Sequence, residues 1–213
     1  MSSAPPLLRK NLGQVDYEPT WRAMQAFTAA RDGGTSDELW LVEHPPVFTL
    51  GLAGKPEHLL CETDIPLVHI DRGGQITYHG PGQAVVYLLI DLARRRIKVR
   101  ELVSLIEQSV IDVLSSYGIA AHLREGAPGV YVGDAKISAL GLKISRGCSY
   151  HGLSLNCDMD MTPFTAINPC GYAGLKSVQL RDFGVTDPLP VIHAKLADAL
   201  AARLELHHGL HPA

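Results

Sequence analysis

The 213-residue chain has no excess of positive charge: 19 basic side chains face 22 acidic ones, a formal net charge of −3. Nucleic acid and anionic membranes are recruited by a basic field spread over a face, so neither is an expected partner, and any electrostatic docking has to use a local patch. Long apolar runs are also missing. The longest, such as Ala84 to Ile90, stop far short of the roughly 20 residues that a membrane-crossing helix needs. The amino terminus, MSSAPPLLRKNLGQ, lacks the apolar centre and small-residue cleavage site of a signal peptide, and a cytoplasmic location is expected. There is no C-x-x-C pair: Cys61, Cys148, Cys157 and Cys170 form no paired-ligand array. Free thiols are therefore expected, most of them acting as small buried hydrophobes. Neither G-x-x-x-x-G-K-[ST] nor a G-x-G-x-x-G opening a helix occurs, which leaves nucleotide-phosphate binding unsupported.

What is present is a globular composition, 46% hydrophobic, with helix and strand patterns mixed along the whole length and no repeat or internal linker. One domain over residues 1–213 is expected. Tyr17 to Arg31 reads as a helix, with Glu18, Pro19 and Thr20 suited to a first turn and Trp21, Met24 and Phe27 at near-helical spacing. Glu38 to Leu50 reads as two extended runs interrupted by Pro45-Pro46, a pair that no central strand can carry. Pro66 to Ile70 and Gln83 to Leu89 are valine- and isoleucine-rich and read as strands. Val99 to Tyr117 is an amphipathic helix with a stripe of Leu102, Ile106, Val110 and Val113, stopped by Gly118. Gly133-Asp134 falls between alternating segments, as a hairpin turn does. Ser149 to Asn156 adds a strand, and Ile192, Leu196, Leu200 and Leu204 mark a carboxy-terminal helix. The tail HHGLHP reads as a solvated end. The fold class is α/β of the α+β type, a mixed β-sheet flanked by helices.

Four stretches carry more polar groups and backbone punctuation than a core needs. RGGQITYHGPGQ, Arg72 to Gln83, holds four glycines and a proline in twelve residues; together with Arg72, Thr77, Tyr78, His79 and Gln83 it reads as a binding wall. KISALG, Lys136 to Gly141, puts a lysine just after a turn, a solvated charge in the ordinary case; its apolar neighbours offer the alternative of a lysine drawn into the core, where desolvation lowers its pKa and lets it move protons near neutrality. HGLSLN, His151 to Asn156, ends an alternating pattern with a histidine that is either a satisfied core residue or a functional one. INPCGY, Ile167 to Tyr172, fixes the backbone with Pro169 and releases it with Gly171 around the thiol of Cys170. A charge run, Arg94, Arg95, Arg96, Lys98 and Arg100, is a solvated loop in the ordinary case; its alternative is a docking patch for an acidic protein.

These four motifs, in this order and at these separations, resemble the lipoyl(octanoyl) transferase family, over about Trp40 to Leu180 and in outline over nearly the whole chain. The resemblance implies a fold similar to the catalytic domain of biotin protein ligases and lipoate ligases. It implies transfer of an octanoyl group from acyl carrier protein to a lysine on the lipoyl domain of 2-oxoacid dehydrogenases or of the glycine cleavage H protein, with no cofactor and no metal. The family's nucleophile falls on Cys170 and its lysine partner on Lys136. Its acyl and thioester contacts fall on Arg72, Gly73, Gly74, Gln75, Ile76, Thr77, Tyr78 and His79, on Ala139, Leu140 and Gly141, and on Gly152, Leu153 and Ser154. Ser154 stands where many relatives have alanine, which adds a hydroxyl beside the implied acyl site. On this reading the Lys136 ammonium holds Cys170 as a thiolate, and backbone N–H groups around Gly141 or Cys170 stabilise the oxyanion. Two other classes fit the motifs less well: an ATP-dependent lipoate or biotin ligase, and a non-catalytic acyl-binding protein.

Overall fold

The structure is a computed structural model that describes residues 6–168 and 174–210, without the side chains of 208–210. Its centre is a six-stranded sheet. The strands are β1 (Leu7–Gln14), β2 (Asp37–Glu43), β6 (Gln83–Leu89), β9 (Cys148–Asn156), β8 (Ala135–Ser145) and β7 (Val130–Val132), in that spatial order. β1 runs parallel to β2, and the remaining pairs are antiparallel. A second sheet sets β3 (Val47–Leu50) between β4 (Leu67–His69) and β5 (Ile76–His79). Mixed pairing in the large sheet agrees with the expected class.

β6 shows how the two faces are made. Ala84, Val86, Leu88 and Ile90 join one apolar cluster while Val85, Tyr87 and Leu89 join another, because successive strand side chains point to opposite faces. Behind the sheet, α3 (Val99–Ser116) and α4 (Leu189–Leu210) bury Leu102, Ile106, Val110, Leu196 and Leu200 against the first set. Full burial of one such side chain stabilises by about 1.5–3 kcal/mol. In front, α1 (Tyr17–Ala30) lays Tyr17, Trp21 and Met24 on the second set.

The expected helices and strands are found within a residue or two of their ends, except at the carboxy terminus: α4 runs on to Leu210 through the first four residues of HHGLHP, and His207, its side chain only 14% exposed, stands 3.7 Å from Glu101, so this part of the tail is helix and not a solvated end. Pro45-Pro46 ends β2 and lets β3 begin in the other sheet. Gly133-Asp134 turns β7 into β8. Two strands escape the sequence patterns: β1, which is exposed along nearly its whole length and shows no alternation, and the four-residue β5 inside the glycine-rich stretch.

The basic run is corrected by the structure. Arg94 and Arg95 form the last turn of the short helix α2 (Leu92–Arg95), and with Arg31 they reach the buried Asp37 within 2.8 Å. They neutralise an internal carboxylate, so they are not available as a solvated patch. Arg96, Lys98 and Arg100 remain exposed.

Candidate active site

A cavity of about 360 Å³ opens between the two sheets. One wall comes from the loop before β5 and from β5 itself: Arg72, Gly73, Gly74, Gln75, Ile76, Thr77 and His79. The facing wall is the β8–β9 hairpin, with Ala139, Leu140 and Gly141 opposite Ser154, Leu153 and Gly152 in register. Gly152 is required by close approach: a Cβ there would meet the Val86 carbonyl oxygen at 2.0 Å. The cavity reaches the surface at Val99, which is 44% exposed. Two polar side chains of the expected wall do not line it: the Tyr78 ring packs on Phe48 and Phe164, and the Gln83 side chain is taken up by His79, Tyr78 O and Asn156.

Lys136 lies at one end of the site. It is the second residue of β8, is only 4% exposed, and shares a small recess with Thr77, Ala139 and Ser154, three residues that also line the cavity. Its Nζ donates to the Pro128 carbonyl at 2.9 Å and stands 5.0 Å from the centre of the Tyr131 ring, which offers a cation the negative face of an aromatic system. Its backbone is tied to the chain that follows the cysteine motif: Lys136 N donates to Lys176 O, and Val178 N donates to Lys136 O. On the near side of that motif, Asn168 N donates to His58 O. Cys170 lies outside the described residues.

Buried polar groups surround the rest of the cavity, and each has an identifiable fixed role. Asp71 accepts hydrogen bonds from Trp21 Nε1, Gln25 Nε2, Tyr150 Oη and His151 Nε2. Burial works to raise its carboxyl, but those bonds, led by His151 and Tyr150, outweigh burial and hold it well below the usual carboxylate range. Because Nε2 of His151 donates to Asp71, its Nδ1 is an acceptor; that atom is buried without a partner among the described residues. His151 holds this pose at φ +60°, a conformation that costs a non-glycine residue energy. Arg72 spans to Thr49 O and Oγ1, both at 2.8 Å.

The other two histidines have tautomers set by their neighbours. His44 Nδ1 donates to the Val15 carbonyl, so Nε2 accepts from the Tyr87 hydroxyl at 2.7 Å. His79 Nδ1 donates to Gln83 Oε1, since the Gln83 amide already donates to Tyr78 O and Asn156 Oδ1. Burial keeps both rings neutral, pulling His44 down to about 4 and His79 to about 3. The cavity is therefore apolar where Ala139, Leu140 and Leu153 line it, and its polar rim sets neutral, oriented groups beside the Arg72 guanidinium and, behind His151, the ionised Asp71.

Several of these groups were not legible in the sequence. Tyr17, Tyr87 and Asp71 are far from the glycine-rich wall in sequence or sit just outside it; the only signals were Asp71 preceding Arg72-Gly73-Gly74 and His44 preceding the proline pair.

A model of the lipoyl protein ligase A/B catalytic domain matches residues 16–201. The chain is 64% identical over 207 residues to an octanoyltransferase of Dechloromonas aromatica (strain RCB), covering 96% of this chain and 100% of the relative. An octanoyltransferase of Aromatoleum aromaticum is 62% identical over 93% of this chain and 86% of its own. Among solved structures, a bi-partite lipoate protein ligase from Thermoplasma acidophilum superposes with a TM-score of 0.72 at 15% identity, covering 96% of this chain and 85% of the other. The biotin protein ligase of Aquifex aeolicus gives 0.58 at 12% identity, over 95% and 71%. Those two likenesses establish the shared fold alone.

Proposed function

The chain belongs to the lipoyl protein ligase A/B catalytic domain family, and from that membership we propose that it is an octanoyltransferase of protein lipoylation that works through an acyl-thioester on Cys170, as one catalytic unit. Octanoyl transfer follows from relatives of that activity at 62–64% identity over nearly the full length. The donor is octanoyl-acyl carrier protein and the acceptors are lipoyl domains of 2-oxoacid dehydrogenases and of the glycine cleavage H protein. The observation that carries the covalent route is Lys136: an almost fully buried lysine whose recess shares Thr77, Ala139 and Ser154 with the cavity, beside the chain that follows the cysteine motif.

The chemistry follows from charge. A nearby ammonium stabilises a thiolate, and the thiolate of Cys170 attacks the donor's thioester carbonyl. The bond from carbonyl carbon to Cys170 sulfur forms, the bond to the carrier's sulfur breaks, and the departing thiolate takes a proton from Lys136. One thioester replaces another, so the acyl group stays activated without ATP. Lys136 is now neutral, next to a cysteine that no longer carries charge. It takes the proton that the acceptor lysine must lose, because a free lysine near pKa 10.4 is almost wholly protonated at neutral pH. The amine attacks the acyl carbon, the bond from that carbon to Cys170 sulfur breaks and an amide forms; the second proton, lost from nitrogen at this stage, passes to solvent, and the Cys170 thiolate is released with Lys136 again an ammonium.

The exposed Arg96, Lys98 and Arg100 flank Val99, where the cavity reaches the surface. An acidic carrier protein docks there, and raising salt weakens its use as donor more than a small thioester's; equal salt dependence for both donors removes this docking surface.

The test is intact-protein mass after mixing with octanoyl-loaded carrier protein, for the wild type and Cys170→Ala. A hydroxylamine-sensitive octanoyl adduct on the wild type alone is expected. Transfer to a lipoyl domain with no adduct on either protein overturns the covalent route, and an absolute ATP requirement turns the assignment to a ligase.

A further inference from the structure

Glu107 stands in the middle of α3, next to the apolar stripe, yet its carboxylate is buried, with the residue 8% exposed. Its Oε1 accepts from the Gly129 amide at 2.9 Å. The carbonyl of the same peptide unit, Pro128 O, accepts from Lys136 Nζ at 2.9 Å. A single peptide plane thus joins a buried carboxylate to a buried ammonium. We propose that Glu107 is the positioning residue of Lys136: by holding the N–H of the Pro128–Gly129 peptide, it aims the Pro128 carbonyl that keeps the lysine head group at the Ala139–Ser154 end of the cavity. This rests on the reading that Lys136 serves the thiol chemistry of Cys170.

Three physical points support the link. A peptide unit is planar, with N–H and C=O on opposite edges, so fixing the one fixes the direction of the other. A hydrogen bond from that N–H to an ionised carboxylate is stronger than a neutral one, and it polarises the carbonyl at the far edge into a better acceptor for an ammonium. Gly129 has φ +130°, and a Cβ there would meet Ser138 O at 2.7 Å and the lysine's Cε and Nζ at 3.0 and 3.1 Å. The Lys136 side chain therefore lies directly on this peptide, which stands just before β7, outside the ladder. Among the described residues, the groups facing the lysine include the Tyr131 ring from β7, on which Arg124 also stacks, this peptide with Glu107 behind it, and the main chain at Lys176 and Ser177.

The experiment follows the rate of Cys170 alkylation by iodoacetamide against pH, resolved at the peptide level from the other cysteines, in the full-length protein. Wild type is compared with Lys136→Met, Glu107→Leu and Glu107→Gln, and kcat and KM for octanoyl transfer are measured on the same samples. Lys136→Met is expected to move the alkylation midpoint to higher pH, because the thiolate loses its cation. Glu107→Leu is expected to reproduce much of that displacement and to lower kcat about 10- to 100-fold while KM changes less than about 3-fold, the penalty of a misplaced group. Glu107→Gln, whose amide oxygen accepts from the same N–H, recovers most of both. Deleting a negative charge by itself favours a thiolate and moves the midpoint down, so an upward displacement reports a displaced lysine and not a lost charge. If Glu107→Leu does not fold, Glu107→Asp, whose shorter side chain withdraws the carboxylate from the Gly129 amide while keeping the charge, must give the same upward displacement. A midpoint that moves in Lys136→Met but stays in place or falls in Glu107→Leu overturns the positioning role. One that stays in place in Lys136→Met removes the underlying reading of the lysine, and the positioning role with it.

Discussion

Asp37, with its side chain 1% exposed, and Asp71, with 23%, are carboxylates that the same fold holds ionised by opposite plans. Asp37 meets three guanidiniums, from Arg31, Arg94 and Arg95, plus the Asp91 amide. It fastens the end of α1, the short α2 and the start of β2, and neither it nor its three arginines line the cavity. Asp71 meets no cation in that set; it accepts from an indole, an amide, a phenol and an imidazole. Burial raises the carboxyl at both sites, and at both the hydrogen bonds win and hold it low. The difference lies in what the carboxylate does for its neighbours. A cluster with surplus positive charge locks helices together, whereas a carboxylate fed by neutral donors fixes one of them, His151, as an oriented acceptor in a cavity wall.

Three measurements break or sharpen that contrast. Asp37→Asn leaves the guanidiniums without their buried counter-charge and should cost about 3–5 kcal/mol of stability, read by denaturant unfolding, while kcat of the folded enzyme stays near wild type. An equal loss of kcat would show that the two sites are not separable. Asp71→Asn keeps the shape and loses the charge that strengthens four hydrogen bonds. It should cost about 1–3 kcal/mol but raise KM for the octanoyl donor, since the freed His151 ring turns within the cavity wall. Unchanged KM would reduce Asp71 to the same structural role as Asp37. The smallest effect separates the sites by acid. His44 and His79 have folded pKa values below the ordinary 6.5, so the folded state binds fewer protons there than the unfolded one. Their contribution is complete above about pH 6.5 and falls as pH drops toward about 4 and about 3. By pH 5.5 the loss is on the order of 1 kcal/mol for each ring. Asp37, also depressed, yields its contribution only below its unfolded value of 3.8. Melting temperature against pH should therefore decline from 6.5 downward in the wild type and less steeply in His44→Gln; an identical slope in both would refute the assignment of mild-acid loss to this face.

Sequence periodicity carried most of the architecture because burial is two-sided and regular in α1, α3, β6 and β9. It failed at β1, whose residues are exposed and so show no face, and at β5, where glycines and a proline on either side mask four paired residues. The site divided in the same way. The glycine-rich wall, the KISALG lysine and the HGLSLN strand announce themselves as local anomalies. Partnerships across long chain separations do not: Arg94 lies 57 residues from Asp37, and Glu107 lies 22 from Gly129. A charge run and a glutamate in an amphipathic helix look like solvated surface until the fold brings their partners to them.

The cavity runs along a seam between the small sheet and the hairpin of the large one, not within either ladder. Gly73 N to Leu142 O, at 3.0 Å, is a backbone bond that stitches its two walls. Parting them breaks side-chain contacts and that stitch but leaves strand pairing whole. In mechanical terms the fold has a soft direction perpendicular to the seam and stiff ones along it. A long acyl chain can slide in by a breathing motion, and amide exchange at Gly73 should be the clock that times it.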